Sequence, residues 1–199
     1  MISSIGGIGD LTVDIILPGV KRMPEWGQEI EIEEPKIRLG GNIGNMAAGA
    51  SALKSNFEIF STVGNDEEGD FIVNQLKSMG LSTKNIRRTN EYKTSRTYAC
   101  IREDGERFMM TYKGTLKMIE STLTKNLNNI TDVVFLGGWC LPPRISTEKL
   151  ITSIDIWHSQ GRIVSTDLLW SDETWEKKDQ LLAVLKKIDI LFLNEAELI

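Results

Sequence analysis

Short apolar runs in this chain alternate with segments whose apolar residues recur at the 3.6-residue period of a helix. The apolar runs predict strands over 2–8, 57–63, 132–136, 162–166 and 189–193. The periodic segments predict helices over 43–54, 146–160 and 174–187, a helix with an acidic first turn that ends at Gly80, and a short helix between Ser121 and the strand at 132. This alternation is typical of an α/β fold, in which a mostly parallel sheet is flanked by helices.

Two polar stretches, at about 15–38 and 92–113, interrupt that alternation. Glu and Ile alternate strictly over 29–33, as in a strand with one face in water, whereas 18–27 is rich in turn formers and predicts a loop. Asp104-Gly105 is a strong signal for a hairpin turn in the second stretch. We predict that both stretches form a second, smaller sheet that projects from the α/β body.

The composition is that of an ordinary soluble globular protein, with 41% hydrophobic and 26% charged residues. A net charge of −5 argues against nucleic-acid binding, and the basic residues within 84–88 are interpreted as a solvated loop. The longest nearly apolar run, 133–143, is too short for a membrane helix. Cys100 and Cys140 alone form neither a disulfide framework nor a metal-binding spacing. These features predict a cytoplasmic protein.

A glycine-rich segment at the end of a predicted strand is the first candidate binding site. Gly40, Gly41 and Gly44 allow backbone conformations and close ligand approaches that a Cβ would prevent. Asn42 is predicted to be the N-cap of the following helix, whose free N–H groups could donate to a hydroxyl or an anion. Asn45 could offer a donor and an acceptor to the same polyhydroxylated ligand. A glycine turn into a tightly packed helix is an equally good interpretation of these residues alone.

Two further segments carry polar groups in informative positions. Asp14 lies among apolar residues, where an unpaired carboxylate is costly to bury, so it faces either solvent or a ligand. Asn194 and Glu197 have the spacing of a capping box, which predicts that a helix begins at Asn194. Only five residues follow Asn194, fewer than a typical helix needs. We therefore expect the chain to be the N-terminal part of a longer protein, or a chain cut by design or by gene truncation.

Five motifs along the whole chain resemble those of the ribokinase family of sugar kinases, also called the phosphofructokinase-B type. They are, in order, Gly9-Asp10-Leu11-Thr12-Val13-Asp14, Gly40-Gly41-Asn42-Ile43-Gly44-Asn45-Met46-Ala47, Gly64-Asn65-Asp66-Glu67-Glu68-Gly69, Phe108-Met109-Met110-Thr111-Tyr112-Lys113-Gly114 and Asn194-Glu195-Ala196-Glu197. The resemblance implies that 1–199 is an incomplete ribokinase-like α/β domain. It also implies that the polar stretches form a β lid, which closes over a sugar and often pairs with the lid of a second subunit.

The same resemblance implies transfer of the ATP γ-phosphate to a sugar hydroxyl. It implies ATP and Mg²⁺ as cofactors, with a monovalent cation as a further candidate, and a sugar as substrate. Asn194 and Glu197 would help to position Mg²⁺ and the phosphates. Thr97 on the lid would approach one face of the sugar, and the opposite contacts would come from Asp14, Gly40, Gly41, Asn42 and Asn45.

The chain departs from the family pattern in two places. Residues 167–170 read Asp-Leu-Leu-Trp where many members have Asp-Pro-Asn, which leaves the identity of the sugar open. The family's Gly-Ala-Gly-Asp segment, which supplies the anion hole and the catalytic Asp, does not occur in the chain, and neither does a Walker-type phosphate loop. Because phosphoryl transfer depends on positioning and electrostatic stabilisation, we expect the catalytic base beyond residue 199 and a chain that is nearly inactive alone.

Three hypotheses follow from these motifs. The first is that the chain is the sugar-binding and lid portion of an ATP-dependent carbohydrate kinase. Its 106–114 hairpin resembles those of fructokinases and 2-keto-3-deoxygluconate kinases more than those of adenosine kinases. The second is a non-catalytic sugar-binding or regulatory module that has lost its kinase half. The third is a nucleoside kinase.

Overall fold

The computed structural model describes residues 4–123, 127, 131–141, 145–169, 171–195 and 197–198, with the side chains of 173 and 174 left aside. Trp170 and part of the short helix predicted after Ser121 lie outside the described residues. The strands are β1 (Ile5–Ile8), β2 (Thr12–Val20), β3 (Lys36–Gly40), β4 (Phe57–Gly64), β5 (Ile86–Thr89), β6 (Arg96–Arg102), β7 (Arg107–Tyr112), β8 (Val133–Leu136), β9 (Ile163–Asp167) and β10 (Ile190–Phe192).

The helices are α1 (Asn42–Ala52), α2 (Glu67–Ser78), α3 (Thr147–Ser159), α4 (Asp172–Glu176) and α5 (Lys178–Leu185), with a 3-10 helix at Gly114–Thr122. Within the described part of the chain, no helix has both the length and the apolar character needed to cross a lipid bilayer. The predicted helix over 174–187 is observed as two shorter helices, α4 and α5.

Six strands form the central sheet in the order β10-β9-β8-β1-β4-β5. Every neighbouring pair in this sheet runs parallel. Parallel neighbours need crossover connections, which α1, α2, α3 and the α4–α5 segment supply. The predicted α/β architecture is confirmed.

Each face of the central sheet carries its own hydrophobic core. Val134 and Leu136 of β8 pack with residues of α3 and α5 in one core, whereas Phe135 between them packs with residues of α1 and α2 in the other. This split follows from the two-residue period of a strand, because successive side chains point to opposite faces. Trp157 of α3 is the largest fully buried side chain of the first core.

The predicted second sheet is present and contains four strands in the order β3-β2-β6-β7. β2 pairs antiparallel with β3 and parallel with β6, and β6 pairs antiparallel with β7 across the predicted hairpin turn. The chain enters β6 through buried Thr94 and Ser95. The second sheet therefore leaves the α/β body through a short, well-packed connection.

The prediction of a strand over 29–33 is wrong. β2 instead continues through Pro18 to Val20, into the segment predicted to be a loop, and β3 begins only at Lys36. Pairing between β2 and β3 ends at Ile16–Lys36, beyond which Pro18 has no N–H to donate and Gly19 has a positive φ of 73°. Alternation of apolar and polar residues is not enough to form a strand where the backbone hydrogen-bond ladder with the neighbouring strand does not continue.

The interpretation of 84–88 as a loop is also wrong in part. Residues 86–89 form β5, an edge strand that pairs in parallel with β4. The Arg88 guanidinium donates to the Gly64 carbonyl oxygen at 3.0 Å and forms an ion pair with Asp70 at 2.7 Å. The polar residues suit an edge strand because one side of it is open to water.

Asp66 joins the start of α2 to the connection that leads into the second sheet. Its carboxylate accepts hydrogen bonds from the Gly69 N–H at 2.9 Å, from the Thr94 N–H at 2.8 Å and from the Thr94 hydroxyl at 2.6 Å. Asp66 is thus the N-cap of α2 and the partner of a fully buried threonine. Although burial acts in the opposite direction, the hydrogen bonds from Thr94 and Gly69 hold the pKa of Asp66 below its ordinary value of 3.8.

We expect Asp66→Ala to lower the free energy of unfolding by about 2–4 kcal/mol, because it removes a helix cap and leaves buried donors of Thr94 unsatisfied. Urea denaturation at neutral pH measures this loss. Asp70→Ala, which removes an exposed ion pair in the same helical turn, is the matched control and should cost about 1 kcal/mol or less. A lowered pKa stabilises the folded state above 3.8, so the cost of Asp66→Ala should shrink as the pH falls below that value. Equal effects of the two variants would contradict the assignment.

Candidate active site

The site lies at the carboxyl edge of the central sheet, where the loops after several parallel strands meet. Asp10 follows β1, Gly138 follows β8, and Asn194 and Glu197 follow β10. In open α/β sheets this edge is the usual place for ligands, because helix N-termini and loops converge there. β2 starts two residues after Asp10, so the second sheet borders the same edge.

Asp10 is the residue around which the loops of the site are assembled. Its carboxylate accepts a hydrogen bond from the Asn42 N–H at 3.1 Å, and its carbonyl oxygen accepts one from the Ile43 N–H at 3.2 Å. A Cβ added at Gly41 would lie 2.9 Å from one Asp10 carboxylate oxygen, and a Cβ at Gly138 would lie 2.5 Å from the other. Only glycine fits at these two positions, so Asp10 is held between the glycine segment and the loop after β8.

Burial raises the pKa of the Asp10 carboxyl from 3.8 to about 6. The hydrogen bond from Asn42 opposes this rise, and the negative charge of Asp14 adds to it. Asp10 is only 6% exposed, and its Oδ1 atom has no hydrogen-bond partner among the described residues. Buried carboxyls whose pKa is strongly shifted are concentrated in functional sites.

Asp14 and the glycine segment are in direct contact. A Cβ added at Gly40 would lie 2.2 Å from the carboxyl carbon of Asp14. The Asp14 carboxylate also accepts a hydrogen bond from the Thr12 hydroxyl at 3.0 Å. Burial raises the pKa of Asp14, and the bond from Thr12 opposes the rise. The Asp14 carboxyl can therefore occupy this position only because residue 40 is a glycine.

Thr97 lies beside Asp14 in the second sheet. The two residues are Cα partners in the parallel β2–β6 pair, which puts their side chains on the same face. Thr97 continues that row to Thr111 of β7, with 3.2 Å between the two hydroxyl oxygens. The row presents one carboxylate and two hydroxyls to the space beside the glycine segment.

Asn42 is not the N-cap of α1, in contrast to the prediction. The cap is Gly41, with φ 82° and ψ 157°, and Asn42 is the first helical residue. The predicted capping role is taken by Asp10, which reaches the helix from another segment of the chain. The Asn42 side-chain Nδ2 is buried without a partner among the described residues, and Asn45 is exposed one turn further along α1.

The predicted capping box at the end of the chain is confirmed. The Asn194 N–H donates to Glu197 Oε2 at 3.0 Å, and the Glu197 N–H donates to Asn194 Oδ1 at 3.1 Å. Glu197 is 7% exposed. Burial, followed by the negative charge of Glu197, raises the pKa of Asp167 at the end of β9. Two carboxyls thus share this part of the sheet edge.

Cys140 lies close to both groups of site residues. Burial raises the pKa of its thiol to about 12, and the negative charges of Asp10 and Glu197 add to the rise. The Cys140 thiol donates to the Leu169 carbonyl oxygen at 3.3 Å.

The predicted site residues form two groups along this edge. The structure brings Asp14, Gly40, Gly41, Asn42 and Thr97 together, with Asn45 one turn away. The Asn194–Glu197 pair forms the second group.

Asp10 is the site residue that sequence reasoning missed. The signal was present, because Asp10 follows a glycine at the end of a predicted buried strand in one of the five motifs. Its partners, Asn42 and Gly138, are far from it in sequence, and the pattern gave no means of pairing them. No cluster of three or more His, Cys, Asp or Glu residues suited to a metal ion occurs in the described ranges.

Known proteins resemble this chain in sequence and in fold. A 5-dehydro-2-deoxygluconokinase from Clostridium tetani is 25% identical over 147 residues, which cover 72% of this chain and 43% of that protein. An Arabidopsis thaliana ribokinase complexed with ribose and ATP superposes with a TM-score of 0.72 at 20% identity, covering 100% of this chain and 62% of that one. A nucleoside kinase from Methanocaldococcus jannaschii gives a TM-score of 0.75 at 22% identity, covering 98% and 62%.

These comparisons confirm the ribokinase-like fold. The chain spans about half the length of the curated relatives it matches, for example 43% of the Clostridium tetani protein. The family model described as "pfkB family carbohydrate kinase" matches residues 5–199. The chain therefore belongs to the pfkB family of carbohydrate kinases.

Proposed function

We propose that this chain is the sugar-binding and lid portion of an ATP-dependent carbohydrate kinase, which phosphorylates a sugar hydroxyl. The observation that carries the proposal is the contact between the Asp14 carboxyl and Gly40, beside Thr97. A polyol needs acceptors and donors on several sides, and this corner of the molecule offers a carboxylate, hydroxyls, amides and a helix N-terminus. In the proposal, the sugar lies between α1 and the second sheet.

Each proposed sugar contact has a separate chemical role. The Asp14 carboxylate would accept from one or two hydroxyls of the sugar, and Thr97 would donate or accept on the lid side. The buried Nδ2 of Asn42 and the exposed amide of Asn45 would donate to other hydroxyls. Gly40 and Gly41 would hold the carboxyls of Asp14 and Asp10 beside the sugar, because a side chain at either glycine would clash with one of these two residues.

The Asn194–Glu197 pair is proposed to help position Mg²⁺ and the phosphates of ATP. Mg²⁺ in phosphate sites is typically held by one or two carboxylates together with substrate phosphates. Asp167 and Glu197 fit that requirement, because they are close enough for the charge of one to raise the pKa of the other. ATP would supply the phosphoryl group and bound Mg²⁺ would neutralise phosphate charge. The residues of this chain would hold and orient those groups.

Catalysis itself is proposed to require residues outside this sequence. The chain contains no Gly-Ala-Gly-Asp segment to provide the anion hole and the general base. The edge strand β10 also leaves three consecutive apolar residues 38–53% exposed. A parallel sheet is normally covered on both faces, so we propose that further protein structure packs on β10 in the working kinase. This feature favours an N-terminal kinase portion over a self-sufficient regulatory module.

A second copy of the chain is the proposed partner of the second sheet. The face opposite to Asp14 and Thr97 carries one cross-strand row formed by Ile15, Ile37, Tyr98 and Met110. Ile37 is 59% exposed and Met110 is 49% exposed. Exposed apolar patches of this kind mark interaction surfaces, which supports the pairing of two lids in a homodimer.

The test is an ADP-release assay with the complete gene product over a panel of neutral sugars, sugar acids, sugar phosphates and nucleosides. We expect sugar-dependent ADP release, with nucleosides inactive. Phosphorylation of adenosine or cytidine in preference to every sugar would instead support a nucleoside kinase. Sugar binding without ADP release would support a non-catalytic module. Binding of neither sugars nor nucleosides would overturn the proposal.

A further inference from the structure

On its edge strand β3, the face of the second sheet that carries Asp14 also carries two cations. Alternate residues of a strand share a face, so Lys36 and Arg38 of β3 lie on the same face as Gly40, which lies against the Asp14 carboxyl. Arg38 is the Cα partner of Asp14, and Lys36 is the partner of Ile16. The sheet row through Arg38 therefore reads Arg38, Asp14, Thr97 and Thr111 from edge to edge.

Within the described part of the chain, no residue neutralises these two cations. Both side chains are exposed, and neither forms an ion pair or a side-chain hydrogen bond with any residue that the structure describes. Two arginines of β6 behave differently. Arg96 forms an ion pair with Glu68 at 2.8 Å, and Arg102 forms one with Asp104. Lys36 and Arg38 thus remain available to a ligand.

Arg38 is also not the counter-ion of Asp14. An arginine within ion-pair distance would lower the pKa of a carboxyl, whereas burial raises the pKa of Asp14 and only the Thr12 hydroxyl opposes the rise. The two side chains lie in one row of the sheet without forming a salt bridge. Charge compensation by the residues that the structure describes therefore does not account for Arg38.

The charges of the proposed sugar site are arranged in order along one direction. Asp10 and Asp14 provide negative charge beside the glycine segment, while Arg38 and Lys36 provide positive charge along β3 away from Gly40. Residues two apart in a strand are separated by about 7 Å, so the cations begin about one sugar length from the glycine segment. A ligand with hydroxyls at one end and an anionic group at the other matches this order.

We infer that the substrate is an anionic sugar, whose hydroxyls contact Asp14 and the glycine segment and whose carboxylate or phosphate is bound by Arg38 with Lys36. This inference rests on the proposed function and narrows its substrate class. Arg38 is then the specificity-determining residue, because a guanidinium can bind a carboxylate or phosphate through two parallel hydrogen bonds. Lys36 adds a second positive charge without that geometric preference.

The experiment is a calorimetric titration of the protein with three matched ligands: a neutral sugar, the corresponding sugar acid and the corresponding terminal phosphate ester. We expect one of the two anionic ligands to bind at least about tenfold more tightly than the neutral sugar, and its identity distinguishes a carboxylate from a phosphate. Arg38→Gln should weaken that anionic ligand about tenfold or more and change neutral-sugar binding less than about twofold.

Lys36→Gln should act in the same direction with a smaller effect, and Lys77→Gln, an exposed cation in the last turn of α2, is the matched control. The advantage of the anionic ligand should fall as salt is raised, because exposed charges are screened. Neutral-sugar binding that equals or exceeds anionic binding would overturn the inference while leaving the sugar kinase intact. So would an Arg38→Gln variant that weakens neutral and anionic ligands equally. Failure of all three ligands to bind would overturn the proposed function as well.

Discussion

Asp14→Ala should reduce kcat/KM of the complete kinase for its sugar by about 100-fold, the largest effect we expect from a single change in the site. A hydrogen bond to a charged group contributes about 1.5–3 kcal/mol, and the carboxylate has two oxygens to offer to neighbouring hydroxyls. The change should not unfold the protein, because burial raises the pKa of Asp14 and the folded state gains nothing from its charge. Steady-state ADP release, with urea denaturation alongside, measures both quantities.

Asn45→Ala should show a smaller loss of about tenfold, as expected for one neutral donor. Asp104→Ala in the β6–β7 turn is the control, since it removes an exposed carboxylate from the same sheet at a distance from Gly40. Sugar turnover that is unchanged by both Asp14→Ala and Asn45→Ala would mean that the site has been assigned to the wrong residues. A loss of activity equal to the loss of folded protein would assign Asp14 a structural role instead.

Periodicity predicted the elements whose burial follows directly from the sequence. The strand ending at Gly64, the helix ending before Gly80 and the helix capped by Ser146 agree with the structure to within a few residues. α2 and α3 each bury one apolar face in one of the two cores, and β4 is buried on both faces and contributes to both cores. Where pairing with a distant segment decides the outcome, the same reasoning failed. Residues 29–33 alternate without pairing as a strand, and polar residues 86–89 pair because β4 provides a neighbour.

The candidate site shows the same limit. Asp14 and Gly40 were predicted separately and were linked only by a family resemblance, yet their contact is direct. Asn42 has the sequence of an N-cap, but Asp10 competes successfully for the first N–H of α1. A single sequence reveals local capping signals but not a carboxylate that arrives from another strand. The geometry of this site depends on that carboxylate.

Asp10→Asn should change the pH dependence of stability by about 2.4 kcal/mol between pH 4 and pH 8, because the folded-state pKa is about 6 and the ordinary value is 3.8. A carboxyl whose pKa is raised on folding contributes its full stability below 3.8 and loses it as the pH rises through 6. Asparagine has no charge to lose, and its side-chain oxygen can still accept from the Asn42 N–H. The variant should therefore gain stability relative to the original protein over this interval.

Urea denaturation of both proteins at intervals from pH 4 to pH 8 provides the measurement. The change with pH, rather than the difference at one pH, isolates the ionisation of Asp10, since any packing cost beside Gly138 is the same throughout. Glu91→Gln, an exposed substitution of the same chemical type, should give a curve parallel to that of the original protein. If the Asp10→Asn curve is also parallel, Asp10 is not a buried carboxyl with a raised pKa. A divergence that develops between pH 4 and pH 6 would instead mean that the protein retains a destabilising charge beneath its glycine segment, which is expected where function rather than stability maintains a residue.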